Sequence, residues 1–211
     1  MKEEILSIEP LEDQDFEFVS MDFHLYPQKL KTELQRLIDT SLGYDRIVLA
    51  FGLCGGAASG LKATNGELVI PRVHDCISIF LCPEKGCVCD FKKQLGTFYL
   101  SNGWMITEKT ILSDYQRILE KFGLQKATKL FNRMYDGYKK VLFIETGSAS
   151  PDEVVRQSKE IAELFGAAYE TIQGEAVFIE KIVRGPWDEE NFITIASQGL
   201  ITEEDFGINA K

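Results

Sequence analysis

The chain has 211 residues and a formal net charge of −10. That length suits one large α/β domain or two small halves in contact, and that charge speaks against nucleic acid and anionic membrane surfaces, both of which need a basic face. No apolar run nears the roughly 20 residues of a membrane span, and the acidic opening MKEEILSIEPLEDQDF has no signal-peptide core, so a cytoplasmic protein is expected.

Residues 1–15 read as a loose, acidic start. Phe16–Leu25 alternates as a strand does, with His24 near its carboxyl end. Pro27 suits the first turn of a helix. Leu30, Leu34, Leu37 and Ile38 fall on one face of that helix, and Gly43 stops it. The apolar run Ile47–Phe51 reads as a buried strand that leads into Gly52-Leu53-Cys54-Gly55-Gly56. A short helix near Ala57–Lys62 and an Asn65-Gly66 turn are expected next. A second buried strand, Leu68–Ile70, runs into Pro71-Arg72-Val73-His74-Asp75-Cys76, where Asp75 is placed to cap a helix continuing to Leu81.

The stretch CPEKGCVCDFKKQ then reads as a loop, and GTFYLSNGW as an irregular strand and loop. Thr107–Met134 has helical periodicity, split at Gly123. Lys139–Gly147 is another buried strand, ending at Glu145-Thr146-Gly147. Ser150-Pro151-Asp152-Glu153 has the cap, the proline and the first-turn acids of a helix start, and Gly166 closes that helix after Phe165. A strand at Ala168–Ile172, a helix at Glu175–Val183, a break at Gly185-Pro186 and a last strand at Phe192–Ala196 complete the chain. Alternating strands and helices predict an α/β fold: a mostly parallel sheet flanked by helices, in two Rossmann-like halves with a cleft between them. The first half is expected over 16–106 and carries the Cys/His site; the second is expected over 107–211.

In such sheets ligands bind at the carboxyl ends of the strands. Cys54, His74 and Cys76 all fall there, as does His24, and these are the chain's only two histidines. Two thiols and two imidazoles form a donor set that suits zinc. Each ligand comes from a strand end, so the site would be assembled by the fold rather than by a zinc-finger spacing. A site with three ligands leaves a position open for water or substrate. Cys54 also stands between glycines, where Gly55 and Gly56 offer backbone N–H groups to a ligand, and His74 is a candidate base for a Cys54 nucleophile. Free cysteines also serve as small buried hydrophobes. Glu145 is the second half's counterpart of Cys54 and a candidate general base. Asp75, beside both His74 and Cys76, joins it as a candidate catalytic acid. All five cysteines lie within 36 residues. Cys82, Cys87 and Cys89 match no standard iron–sulfur spacing, and a plain loop is expected for them.

In this order, YDRIVLAFGLCG, LVIPRVHDCISIFL, GTFYLSNGW, VLFIETG and GPWDEENFITIA resemble the domain of unknown function 1638 family, from about Leu25 to Ala196. The HL-x-P segment of that family matches His24 and Pro27. The resemblance implies an uncharacterised α/β protein of anaerobic bacteria and methanogenic archaea, often in settings of methyl-group metabolism. The N-terminus here is shorter than the family's, and CPEKGCVC replaces a stretch expected to lack cysteines. The leading expectation is therefore a zinc-dependent transferase or hydrolase acting on a small molecule, with His24, Cys54, His74 and Cys76 as ligands. The alternatives are an accessory protein that carries a metal or a corrinoid, and a thiol redox protein using the cysteine-rich loop of Cys82, Cys87 and Cys89; an iron–sulfur cluster is the other cofactor considered. The expected partners are a small-molecule substrate or cofactor, a second copy of the chain, or a corrinoid protein.

Overall fold

The computed structural model describes residues 1–81, 95–105, 110–146 and 151–207. In chain order, the first elements are helices α1 (Lys2–Leu6) and α2 (Pro27–Thr40), strands β1 (Arg46–Val48) and β2 (Glu67–Pro71), and helix α3 (Cys76–Leu81). Strand β3 (Thr97–Ser101) follows, then helices α4 (Asn102–Met105), α5 (Ile111–Phe122) and α6 (Leu124–Met134). Strand β4 (Lys140–Thr146), helix α7 (Asp152–Phe165), strand β5 (Ala168–Gly174), helix α8 (Val177–Arg184) and strand β6 (Phe192–Ile195) complete the set. The described residues thus form a mixed α/β fold with eight α-helices and two three-stranded sheets. No helix among them is long and apolar enough to cross a membrane.

The chain divides into two compact units, Met1–Cys87 with Glu175–Lys211, and Val88–Gly174. This differs from the contiguous halves expected at 16–106 and 107–211. Strand β3 belongs to the second unit, and the chain returns to the first through α8 and β6. The cause is a non-local pairing: β6 lies antiparallel to β2, with Ile193 opposite Ile70 and Phe192 opposite Pro71. No local periodicity announces such a partner.

In the first unit the sheet order is β1-β2-β6, with β1 and β2 parallel. The central strand β2 has four of its five residues buried, which is why it reads as an unbroken apolar run. Helix α2 starts with Pro27 in its first turn and buries Leu30, Leu34 and Ile38. Those three meet Leu49, Leu53, Leu61, Leu68, Ile70 and Ile201 in one core. Burial of each such side chain contributes about 1.5–3 kcal/mol.

Three local expectations give way here. Residues 2–6 form α1 rather than a loose start. Phe16–Leu25 is not a strand: the Ser20 hydroxyl accepts from the Asp22 N–H, and Met21–Leu25 winds into a 3₁₀ turn. Ala57–Lys62 is not a helix. Cys54, Gly55, Gly56 and Gly60 all have positive φ, which interrupts right-handed propagation, and the Gly60 N–H donates to the Ile201 carbonyl at 2.7 Å instead.

In the second unit β3, β4 and β5 are all parallel, with β4 central. Helix α7 ends as expected, with Gly166 in the left-handed conformation capping Phe165. Gly123 separates α5 from α6 at φ 74°. Leu100, Val141, Phe143, Val154 and Ile161 form the core. Beside it, Phe165 stacks on Tyr135 at 4.4 Å between ring centroids, and Phe98 meets Phe165 edge-on at 5.3 Å.

Candidate functional site

The parallel pairing of β1 with β2 continues past both strands as backbone hydrogen bonds. Leu49 N–H donates to the Val69 carbonyl at 2.8 Å, Leu53 to Val73 at 3.0 Å, and Cys54 to His74 at 2.9 Å. Two strand-end loops therefore run side by side, and the spacing brings Cys54 to Cys76. Their Sγ atoms lie 3.1 Å apart and share a hydrogen bond. Both residues are half-buried.

Two backbone features make this approach work. A Cβ on Gly52 would stand 2.7 Å from the Val73 carbonyl oxygen and 2.9 Å from the Asp75 nitrogen, so only glycine lets the loops come this close. Cys54 itself holds φ +46°, followed by Gly55 at +66° and Gly56 at +87°. A left-handed residue that is not glycine costs on the order of 1–2 kcal/mol, and such strain gathers at functional sites. Gly55 is exposed and its added Cβ would meet Pro27 at 3.5 Å; the nearest atom to a Cβ on Gly56 is a carboxylate oxygen of Glu203 at 4.0 Å.

The two thiols are unequal. The hydrogen bond from Cys76 is the largest influence on Cys54 and lowers its pKa below the ordinary thiol value, with help from the Gly52 backbone and against burial. Cys76 is pushed well above that value, first by the hydrogen bond it would lose on ionising, then by burial and by the charge of Cys54. Of the two, Cys54 is thus the thiol that ionises more readily, with Cys76 as the donor that favours its ionised form. The thiolate is the reactive form of cysteine.

Asp75 caps α3, as its position in the sequence suggests: its Oδ1 accepts from the Ser78 N–H at 3.0 Å and from the Ser78 hydroxyl at 3.2 Å. Its charge raises both thiol pKa values as a lesser influence. Asp75 also acts on His24, whose imidazole pKa is lowered by burial first, with Asp75 opposing. His24 is exposed on the 3₁₀ turn, so water limits that lowering. His74 is half-buried and meets Cys54 through its carbonyl.

The structure therefore joins Cys54 and Cys76 and sets Asp75 beside them. It does not bring His24, Cys54, His74 and Cys76 together as a four-ligand cage: no group of three or more His, Cys, Asp and Glu among the described residues has metal-holding spacing. The sulfurs also stand closer, at 3.1 Å, than the about 3.8 Å that separates two thiolates on a tetrahedral zinc with bonds of about 2.3 Å. Glu145 belongs to the second unit. It is half-buried near the end of β4, and its carbonyl accepts from the Gln173 amide at 2.9 Å. Cys82, Cys87 and Cys89, and with them the cysteine loop, lie outside the described residues. Two surface hollows, one lined by Tyr135, Tyr138 and Phe165 and the other by Lys31, Gln35 and Gly60, do not include the thiols.

Sequence reasoning passed over Ser78 and Glu203. Ser78 was open to it, because a residue three past a capping Asp is where the capped N–H lies. Glu203 was not, because its place beside Gly56 depends on how the C-terminal segment returns. No curated protein matches the chain, and no solved structure does. One family model does, over residues 18–183, more than half of the chain. That stretch includes all four proposed ligands and ends before GPWDEENFITIA. By that match the chain belongs to the family described as protein of unknown function DUF1638.

Proposed function

We propose that this protein carries out thiol–disulfide exchange, with Cys54 as the attacking thiolate and Cys76 as the resolving thiol. The observation that carries the reading is the 3.1 Å separation of the two sulfurs. An S–S bond is about 2.05 Å long, so closure needs about 1 Å of approach.

The chemistry balances as follows. The Cys54 thiolate attacks one sulfur of a small-molecule disulfide, the S–S bond of that molecule breaks, and one thiolate leaves. Cys54 is now in a mixed disulfide. Cys76 loses its proton to solvent or to the departing thiolate and attacks the Cys54 sulfur. The second thiolate leaves and the Cys54–Cys76 disulfide forms. Two electrons pass from the dithiol to the substrate, and the reverse sequence reduces the protein. The left-handed conformation of Cys54, at φ +46°, supports this reading, because such strain gathers at functional sites.

The test is oxidation of the anaerobically purified protein with a small disulfide, followed by peptide mapping. A Cys54–Cys76 cross-link, reversed by dithiothreitol, is the expected result. Free Cys54 and Cys76 after full oxidation would overturn the reading.

A second reading is favoured by one observation: the Asp75 charge acts on Cys54, on Cys76 and on His24. In that reading the site belongs to a zinc-dependent enzyme or a corrinoid-carrying accessory protein, with a tilt to methyl-group metabolism. The two histidines would have to move onto the thiols. Metal analysis separates the readings: about one zinc per chain that is lost in Cys76→Ser supports the second and removes the first. We extend the proposal to the fold as well. Two Rossmann-like halves are supported by the parallel β1–β2 pair and the all-parallel β3–β4–β5 sheet.

A further inference from the structure

The turn after Cys54 is covered by a segment that comes from the far end of the chain. Gly60 N–H donates to the Ile201 carbonyl at 2.7 Å, Ile201 N–H to the Leu61 carbonyl at 2.9 Å, and Ala63 N–H to the Gly199 carbonyl at 3.0 Å. Ile201 and Phe206 are buried. Between them, the Asp205 carboxylate accepts from the Thr202 N–H at 2.7 Å and from its hydroxyl at 2.9 Å. The Arg72 guanidinium holds the same segment through the Asp205 carbonyl. Glu203 is therefore not on a loose tail. It stands on a tied turn, with its exposed carboxylate facing Gly56, two residues past Cys54.

Asp75 supplies a second carboxylate from α3, beside Cys76. Two basic groups, Arg72 and Lys31, are held by or over other parts of these loops. Arg72 also donates to the carbonyls of Glu189 and Phe192. Lys31 lies over Gly60, four residues beyond Gly56. Glu203 and Asp75 thus set a carboxylate against each of the two loops that carry the thiols.

We propose that Glu203 and Asp75 make the Cys54–Cys76 site selective for cationic and neutral low-molecular-weight disulfides over anionic ones. This rests on the dithiol reading above and names the substrate class for it. A disulfide that presents a sulfur to Cys54 comes within reach of the Glu203 carboxylate, which stands 4.0 Å from the Cβ position of Gly56, two residues on. Charges several ångströms apart near a protein surface interact strongly enough to change a rate severalfold, and salt screens them beyond about 10 Å at 0.1 M. The exchange step is unchanged: one S–S bond breaks, one forms, and a thiolate leaves.

The experiment measures the rate of Cys54 oxidation by three small disulfides: cystamine, bis(2-hydroxyethyl) disulfide and dithiodiglycolate, which are cationic, neutral and anionic. Each rate is divided by that of the same disulfide with a free uncharged thiol, which removes differences in leaving group. The expected order is cystamine, then the neutral compound, then dithiodiglycolate. The two ends should be separated by roughly tenfold or more at low salt, on the Coulomb scale for two nearby charges. Glu203→Gln should shrink the cystamine-to-dithiodiglycolate ratio about threefold, and 1 M NaCl should bring wild type and variant together. Equal corrected rates, or a ratio that Glu203→Gln does not change, would overturn the proposal. If none of the three disulfides reacts faster with wild type than with Cys54→Ser, the dithiol reading itself fails and the selectivity goes with it.

Discussion

The two sheets end differently at their carboxyl edges. In the first unit β1 and β2 lead into a cysteine at φ +46°, a glycine that no side chain could replace without a clash, and two sulfurs 3.1 Å apart. In the second unit β4 leads into Glu145 and a buried Thr146, and the Glu145 carbonyl is simply paired with Gln173. Among the described residues, every non-glycine at positive φ (Asp13, Cys54 and Gln198) lies in the first unit. Two strand ends that look alike as residue patterns are thus told apart by their backbones. Strain and close approach persist only where the surroundings enforce them, and the first unit enforces them at a cysteine.

Cys76→Ser tests that contrast most sharply. It should abolish the intramolecular cross-link and leave Cys54 in a mixed disulfide, seen as an added mass after treatment with a small disulfide. The hydrogen bond from Cys76 is the main cause of the lowered Cys54 pKa. The midpoint of the pH–alkylation profile of Cys54 should therefore lie below that of an ordinary thiol in wild type and rise in the variant. An unchanged midpoint would break the link between the pair and the reactivity.

Paired glycine substitutions compare the units directly. Gly52→Ala puts a Cβ 2.7 Å from a backbone oxygen that cannot swing away. A loss of about 3 kcal/mol is expected, at the upper end of overpacking costs, together with loss of the cross-link. Gly123→Ala, at φ 74° and ψ 166° with nothing within 4 Å, should cost about 2 kcal/mol, from backbone conformation alone. Urea denaturation measures both, and equal losses would erase the distinction drawn here.

Asp75→Ala removes the cap of α3 and should cost about 1 kcal/mol. Because its charge raises both thiol pKa values, the same variant should shift the Cys54 alkylation midpoint slightly lower. A midpoint that rises instead would show that Asp75 acts on the thiols through the helix rather than through its charge.

The smallest effect belongs to Asp188, away from both strand ends. Lys181 Nζ lies 2.7 Å from its Oδ2, and that hydrogen bond leads the causes that lower its pKa to about 2. The folded value lies below the unfolded one, so the contribution is present above about pH 4 and is lost as the pH falls through about 2. Asp188 is more than a third exposed, and screening keeps the contribution under about 1 kcal/mol. Asp188→Asn should therefore lower stability slightly at pH 7 and not at all near pH 1.5. A loss of the same size at both pH values would show that packing, not charge, is what the substitution removes.

Much of the architecture was legible in the chain itself, because it is written in local chemistry. Pro27 and the Leu30, Leu34 and Ile38 stripe specified α2. Asp75 specified the start of α3, Gly123 the break between α5 and α6, and Gly166 the end of α7. The apolar run around Leu68–Ile70 marked a buried strand, and the cysteines flanking two such runs marked where chemistry would lie. Each of these signals spans a few residues, and the physics that reads it is a cap, a periodicity or a φ angle. What the tertiary structure alone decided was long-range. The antiparallel partner of β2 is β6, more than a hundred residues away. The Cys54 turn is left-handed rather than the start of a helix, because the loops beside it and the returning Gly199–Ile201 segment supply its hydrogen bonds. Of the four residues expected to meet, the two thiols meet directly, since backbone pairing extends the register of β1 and β2 as far as Cys54 and His74. Of the imidazoles, His24 lies on a 3₁₀ turn that this register does not control, and His74 meets Cys54 through its backbone carbonyl.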